Sequence, residues 1–398
     1  MNEHTSTHDV RMKKALVVYG TRPEAVKMAP VIAGLRQVPG VQLSVAVTGQ
    51  HRSMLDQINT LFAISPEHDL EISSAGQTLT DVTVRTLRGL ERILAAEPAD
   101  VVVVQGDTTT STAAALAAFY ARVPVVHVEA GLRTDDRWNP FPEEINRRLT
   151  TRLAGLHLAP TVQARDALLR EGVPADEIVV TGNTVIDALQ QTVDGSVAYE
   201  SPELADVDQH RRPVVLVTTH RRESWGEPMR ATARAVRRLA ELHPDVHVVV
   251  PMHLNPLVRD ALEPELSELP NVTLTEPLGY ADFCRLLARS ALVLTDSGGA
   301  QEEAPSLGRP VLVLRETTER PEGVQRGLAR LVGTDEELIV READAALRHP
   351  VPPRSPGEPL RPSPYGDGRA GARSAAAIAH FLGLGPRPPD FVEETPFR

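Results

Sequence analysis

Apolar residues along this chain gather in short unbroken runs instead of alternating with polar ones. The first half offers "KALVVYG", "VQLSVAVTG", "ADVVVVQGD", "VPVVHVEAG" and "GLHLAPT". After a polar stretch, "VDGSVAYESPELADVDQHRRP", the second half gives "VVLVTTH", "VHVVVPMH", "VTLTEP", "ALVLTDSGG" and "RPVLVLR". Unbroken β-branched runs predict strands covered on both faces. Each run is followed by turn residues and then by a helical pattern, which predicts parallel sheets built from βαβ units. Two such series predict an α/β protein of two Rossmann-like domains, the active site lying in the interdomain cleft. The boundaries fall at residues 1–186 and 187–362, with 363–398 left for a last amphipathic helix in "RAGARSAAAIAHFLGLG" and a tail. The proline-rich "VPPRSPGEPLRPSP" reads as an extended connector and the final "PRPPDFVEETPFR" as a loose tail.

Length agrees with that division, because 398 residues exceed what one core usually holds. Hydrophobic residues at 41% and charged ones at 24% are ordinary globular values. No apolar run approaches the roughly 18 residues that span a bilayer, so no membrane partner is expected. The opening "MNEHTSTHDVRMKK" has no apolar core and reads as a short disordered leader, not a secretory signal. A net charge of -11 argues against a nucleic-acid partner. The single cysteine, Cys284, rules out an intrachain disulfide and a cysteine metal cluster. Its neighbours Phe283, Leu286 and Leu287 recur at helical spacing, so it is expected as a buried thiol. This cysteine usage predicts a cytoplasmic protein.

In open parallel sheets, ligands collect beyond the carboxyl ends of the strands, so the polar residues after each run are where chemistry is sought. After "ALVVY" stands "GTRPEAVKMAP". Gly20 suits a tight turn, the helix start offers free N–H groups, and Arg22 and Lys27 add positive charge. Neither GxGxxG nor a P-loop is present. After the valines stands "GDTTT", where Asp107 is either a helix cap or an acid with a task. Glu129 after "VPVVHV", and Glu143 with Glu144 in "NPFPEEINRR", are further acids in neighbouring loops. Carboxylates brought into one crevice are the raw material of acid–base chemistry. In the second half, His220 follows "VVLV" beside Arg221 and Arg222, a cluster that suits a phosphate, and His253 follows the next run. Ser297, Gly298 and Gly299 open a helix whose N–H groups fit an anion. Glu302 and Glu303 are expected in the first turn of that helix, favoured there by its dipole or by a ribose. Arg320 in "RETTERPEG" is another candidate pyrophosphate or sugar contact.

These stretches together resemble the non-hydrolysing UDP-N-acetylglucosamine 2-epimerases, relatives of the GT-B glycosyltransferases. The resemblance rests on "GTRPEAVKMAP", "QHRSMLDQ", "GDTTT", "HVEAGLRT", "FPEEINRR", "TGNTVIDAL", "HRRES", "HLNP", "TDSGGAQEEAPSLGRPVLVLRETTERPEG" and "PYGDG". It implies a GT-B-like fold whose last helix returns to the first domain, a homodimer, and a UDP-sugar substrate. The activity implied is reversible inversion at C2 between UDP-GlcNAc and UDP-ManNAc. Its route is anti elimination of UDP followed by syn re-addition, with neither nicotinamide nor metal.

Carried onto this sequence, Asp107, Glu129 and Glu143 are the acid/base set, with the choice among them open. Arg22, His220, Arg320 and the helix start at Ser297–Gly299 would stabilise the departing UDP, and Lys27, Phe283 and Glu303 are nucleotide-site positions. A second, activating UDP-GlcNAc is implied at Gln50, Arg221 and His253, although Ser53 stands where many relatives carry a longer polar residue. Trp138 and Asn139 replace the more usual Tyr-Ser before proline, so altered packing is expected near Glu143. A GT-B glycosyltransferase using a UDP-sugar donor, an epimerase acting on a related nucleotide sugar, a hydrolysing epimerase and a non-catalytic UDP-sugar sensor are the competing readings.

Overall fold

In the computed structural model, which describes residues 12–49, 52–74, 76–194, 198–209, 212–355 and 357–393, the apolar runs are strands of two wholly parallel sheets. The first sheet contains β1 (Lys13–Tyr19), β2 (Val41–Val47), β3 (His68–Asp69), β4 (Val101–Gln105), β5 (Val125–Val128), β6 (Leu156–Ala159) and β7 (Ile178–Val180). Their spatial order is β3-β2-β1-β4-β5-β6-β7. The second sheet contains β8 (Val214–Thr218), β9 (His247–Pro251), β10 (Val272–Thr275), β11 (Leu292–Thr295), β12 (Val311–Val313) and β13 (Ala329–Leu331). These lie in the order β10-β9-β8-β11-β12-β13. Both orders step outward from a central strand in one direction and then reverse, as doubly wound sheets do.

The chain divides into two compact units: Met1–Thr184 with Arg369–Val392, and Val185–Gly368 with Glu393–Arg398. In the first, Val101, Val102, Val103 and Val104 are all buried, as a strand with helices on both faces requires. In the second, Val215, Val217, Val248, Val250, Leu292 and Leu294 share a core with the helix Glu227–Leu242. Cys284 is a buried thiol in the same core cluster as Leu286 and Leu287, as its spacing suggests.

Several expectations need correcting. Lys13 and Lys14 open β1 and pair with Val41 and Gln42, so they belong to the sheet and not to a leader; residues 1–11 lie outside the described residues. Three strands, β3, β7 and β13, have no counterpart among the runs read from the sequence. The final segment is not loose up to Phe391. The Phe391 N–H donates to the Val180 carbonyl (2.7 Å), Asp390 accepts from the Val180 N–H (3.1 Å), and Arg387 donates to the Ile178 carbonyl (2.8 Å). Arg373 lies over the buried Phe391 ring, 5.3 Å from its centroid. This segment covers the open edge of the first sheet, whose N–H and C=O groups would otherwise lack partners.

The helix Ala370–Phe381 packs on the helix Arg22–Leu35 in the first unit. Glycines set the closeness of that crossing. A Cβ on Gly34 would stand 2.8 Å from the Ala375 Cβ, and one on Gly371 would stand 2.6 Å from the Pro30 Cβ. Among the described residues no helix is long and apolar enough to cross a membrane.

Candidate functional site

The loops at the carboxyl ends of β1, β4 and β5 are tied together by side chains. Thr21 precedes the helix Arg22–Leu35, and Glu24 folds back to accept the N–H groups of Gly20 (3.0 Å) and Thr21 (2.8 Å). The other Glu24 oxygen accepts the Thr108 hydroxyl at 2.7 Å, so one buried carboxylate joins the loop after β1 to the loop after β4. Burial pushes the Glu24 carboxyl above its ordinary value, against the hydrogen bonds from Thr108, Thr21 and Gly20. Thr108 in turn caps the helix Thr109–Tyr120 by accepting the Ser111 N–H at 3.0 Å. Asp107 is therefore not the cap, which leaves its carboxylate for another purpose.

That carboxylate has a basic partner 40 positions along the chain. Arg147 Nη2 lies 2.7 Å from Asp107 Oδ2, and the Asn146 amide donates to the Asp107 carbonyl at 3.0 Å. Both come from the helix Glu143–Leu153, and Glu143 sits one turn earlier on the same face. Its neighbour Glu144 faces the other way in role: it is fully buried, accepts from Arg148 (2.8 Å) and from the Thr134 N–H (3.1 Å), and holds the loop Arg133–Pro142 in shape. Trp138 and Phe141 of that loop stack on each other at 5.7 Å and are exposed.

Glu129 has left-handed backbone, φ 61°, a conformation L residues avoid outside special sites. Its side chain is nearly buried and collects Lys27 Nζ (2.5 Å), the Gln105 amide and the Asn183 amide (3.4 Å). Lys27 thus reaches from the first helix to the end of β5. His127, one residue into the same strand end, places Nε2 2.7 Å from the Gly106 carbonyl, bracing the turn that precedes Asp107. Arg22 opens the first helix and is half-buried.

In the second unit the organising residue is Asp296. One of its oxygens accepts the Thr219 hydroxyl (3.0 Å) and the N–H groups of His220 (2.7 Å) and Arg221 (2.9 Å). The other lies 2.9 Å from His220 Nδ1. Burial alone would raise this carboxyl, but His220 and the two N–H groups outweigh it and hold the carboxyl below its ordinary value. The sequence sets His220 beside Arg221 and Arg222; the fold adds an acid, Asp296, against its ring. The exposed His253 ring stacks on it at 5.9 Å. Burial and then His220 lower His253 below its ordinary value.

Ser297 precedes the helix Gly298–Ser306. A Cβ on Gly298 would stand 2.9 Å from Arg320 Cζ, so glycine lets the guanidinium lie against the helix start. Glu302 and Glu303 are not in the first turn of this helix. Both are buried, and each is a tether: Glu302 accepts from Arg320 Nε (2.8 Å) and Glu303 from the Tyr280 hydroxyl (2.8 Å). Phe283 is half-buried against the second unit's core, and Gly299 follows Gly298 in the first turn. Of the second-ligand residues, Arg221 and His253 flank His220, whereas Gln50 lies outside the described residues. No group of acidic, histidine or cysteine side chains among the described residues could hold a metal ion.

Sequence reading missed Glu24, Arg147 and Asp296. Asp296 was within reach, since it follows β11 directly, as Asp107 follows the turn after β4.

A family model described as UDP-N-acetylglucosamine 2-epimerase matches residues 33–379. The UDP-N-acetylglucosamine 2-epimerase of Bacillus subtilis is 48% identical over 378 residues, 95% of this chain and 98% of its own. Among solved structures, the S. aureus MnaA–UDP structure superposes with a TM-score of 0.86 at 44% identity, covering 96% of this chain and all of that one. The Neisseria meningitidis UDP-GlcNAc 2-epimerase bound to UDP-GlcNAc gives 0.84 at 42% identity, covering 93% of this chain and all of that one.

Proposed function

The chain belongs to the UDP-N-acetylglucosamine 2-epimerase family, and from that premise we propose that it interconverts UDP-GlcNAc and UDP-ManNAc by inversion at C2. The reaction needs neither an external oxidant nor water as a reactant. A carboxylate takes the C2 proton, the C2 electron pair forms the C1–C2 double bond, and the C1–O bond breaks with its pair leaving on UDP. A proton then reaches C2 from the opposite face while the UDP oxygen closes on C1. A sugar C2–H is weakly acidic, so the base must be held at close range and the leaving diphosphate must meet positive charge as it forms.

The observation that carries this reading is the pinning of two strand-end acids in the first unit, Asp107 by Arg147 and Glu129 by Lys27. Acid–base work needs carboxylates fixed to a fraction of an ångström. With Glu143 they form the acid/base set. Arg22, His220, Arg320 and the helix start at Ser297, Gly298 and Gly299 take the diphosphate, with Phe283 and Glu303 at the nucleoside. Arg221 and His253 are the places for a second UDP-GlcNAc. A homodimer working in the cytoplasm completes the proposal; gel filtration and fractionation test those two points.

Incubation with UDP-GlcNAc alone in D2O, followed by NMR, is the test. Deuterium should enter C2 of both epimers and UDP should return to the sugar. An epimer that keeps its C2 proton would rule out proton removal. UDP-GlcNAc left intact until a sugar acceptor is added would point to a glycosyltransferase, and free ManNAc with UDP to a hydrolysing enzyme. Glu129→Gln and Asp107→Asn should each lower kcat by on the order of a hundredfold or more.

A further inference from the structure

We propose that Arg147 is a positioning residue that holds Asp107 as a carboxylate and locks its distance to Glu143, so that Asp107 begins each cycle without a proton. The proposal rests on the epimerase reading above and deepens it, giving the Arg147 contact a defined task in the cycle.

A guanidinium has five N–H donors and is costly to bury unless they find acceptors. Arg147 is 5% exposed, yet its Nε and Nη1 have no hydrogen-bond partner among the described residues. Its one close contact is Nη2 to Asp107 Oδ2 at 2.7 Å; the nearest other acid, Glu144, is 3.5 Å away and already engaged by Arg148 and the Thr134 N–H. A side chain kept only for helix packing would not leave donors unpaired in the interior. The arrangement makes sense if the buried charge is there for Asp107, since charge-assisted bonds of this length fix both geometry and ionisation.

The same helix face supplies a second hold. Asn146 binds the Asp107 carbonyl, so backbone and side chain of Asp107 are gripped by adjacent residues of Glu143–Leu153. Glu143 is carried one turn earlier on that face. Two candidate acids from distant parts of the sequence are thus mounted on one rigid piece. Charged groups around Asp107 include Arg147 with Glu144 behind it, Glu24 through Thr108, and the Glu129–Lys27 pair beside Gly106. Arg147 brings its cation directly against the carboxylate.

The test compares wild type, Arg147→Met and Arg147→Lys by 13C NMR titration of labelled aspartate, with the Asp107 signal identified by its loss in Asp107→Asn. In Arg147→Met the Asp107 midpoint should rise by about one to three pH units. The acid limb of kcat should move up with it, kcat at neutral pH should fall about tenfold or more, and KM should change little. Arg147→Lys, which keeps the charge, should restore the midpoint in large part. Arg147→Gln serves in place of Met if that variant does not fold. An unmoved Asp107 midpoint in the neutral variants overturns the proposal whatever the enzyme does. Failure of wild type to form epimer overturns the catalytic reading instead, and the titration still judges the pair.

Discussion

Acid should unfold the first unit through two histidines that the chemistry does not use. His127 and His157 face each other in register on β5 and β6, at 0% and 1% exposure. Burial pushes His127 down to about 3 and His157 down to about 4. In the unfolded chain each titrates near its ordinary value of about 6.5, so between that pH and the folded values the unfolded state binds more protons. Stability therefore rises with pH across this window and is lost as pH falls below about 6.5. From about pH 7.5 to about pH 5 each ring should cost about 2 kcal/mol, so the pair costs about 4 kcal/mol.

Two buried carboxyls behave differently across this window. Arg315 and Arg320, overriding burial, hold Glu319 down near about 2, so it releases stability only below the ordinary carboxylate range. Glu24 is raised by burial, so its contribution runs the opposite way and can only shrink the loss. Urea unfolding followed by circular dichroism at the two pH values measures the difference. His157→Leu, which fills the same space without titrating, should unfold with about 2 kcal/mol less pH dependence than wild type over that interval. If the variant loses as much stability on acidification as wild type, the buried neutral histidines are not the cause.

Three further outcomes are expected. Asp296→Asn removes the anionic acceptor from the His220 and Arg221 N–H groups, which should cost about 2–4 kcal/mol in urea unfolding and leave His220 free to turn; unchanged stability together with unchanged kcat would contradict the role given to Asp296. Gly298→Ala should push the Arg320 guanidinium off the helix start and weaken UDP binding about tenfold by calorimetry, and wild-type affinity would show that this contact does not hold the diphosphate. Gly131→Ala combines φ 97° with a Cβ 2.8 Å from the Ala164 carbonyl carbon, so urea unfolding should show a loss of about 2 kcal/mol or more, and a loss below about 0.5 kcal/mol would show that the backbone there relaxes.

The sequence made the interior of each sheet legible because central strands are buried on both faces and read as apolar runs. The strands it concealed are edges. His68–Asp69, Ile178–Val180 and Ala329–Leu331 are two or three residues long, and β3 consists of polar residues. Asp107 and Glu129 were legible because they stand just past strand ends, whereas Glu143 opens a helix and was legible only through its motif, "FPEEINRR". Their partners were not, since Arg147 is 40 positions from Asp107 and Lys27 is 102 from Glu129, and only folding brings them together. Glu302 and Glu303 show the reverse failure: position near a helix start suggested a dipole effect, whereas burial and specific donors decide what they do. Between Glu143 and Glu144 only the family resemblance could choose, because the residues are adjacent and one step along a helix turns a side chain by about 100°.

The pairing of Gly34 with Gly371 has a consequence for how a nascent chain matures on the ribosome. The helix Arg22–Leu35 emerges early, but the surface it needs is translated only after all of Val185–Gly368. At about 5–20 residues per second, that face and the open β7 edge wait on the order of ten seconds or more for their cover. The second unit can close from contiguous chain in the meantime, so the half of the molecule made first is the half completed last.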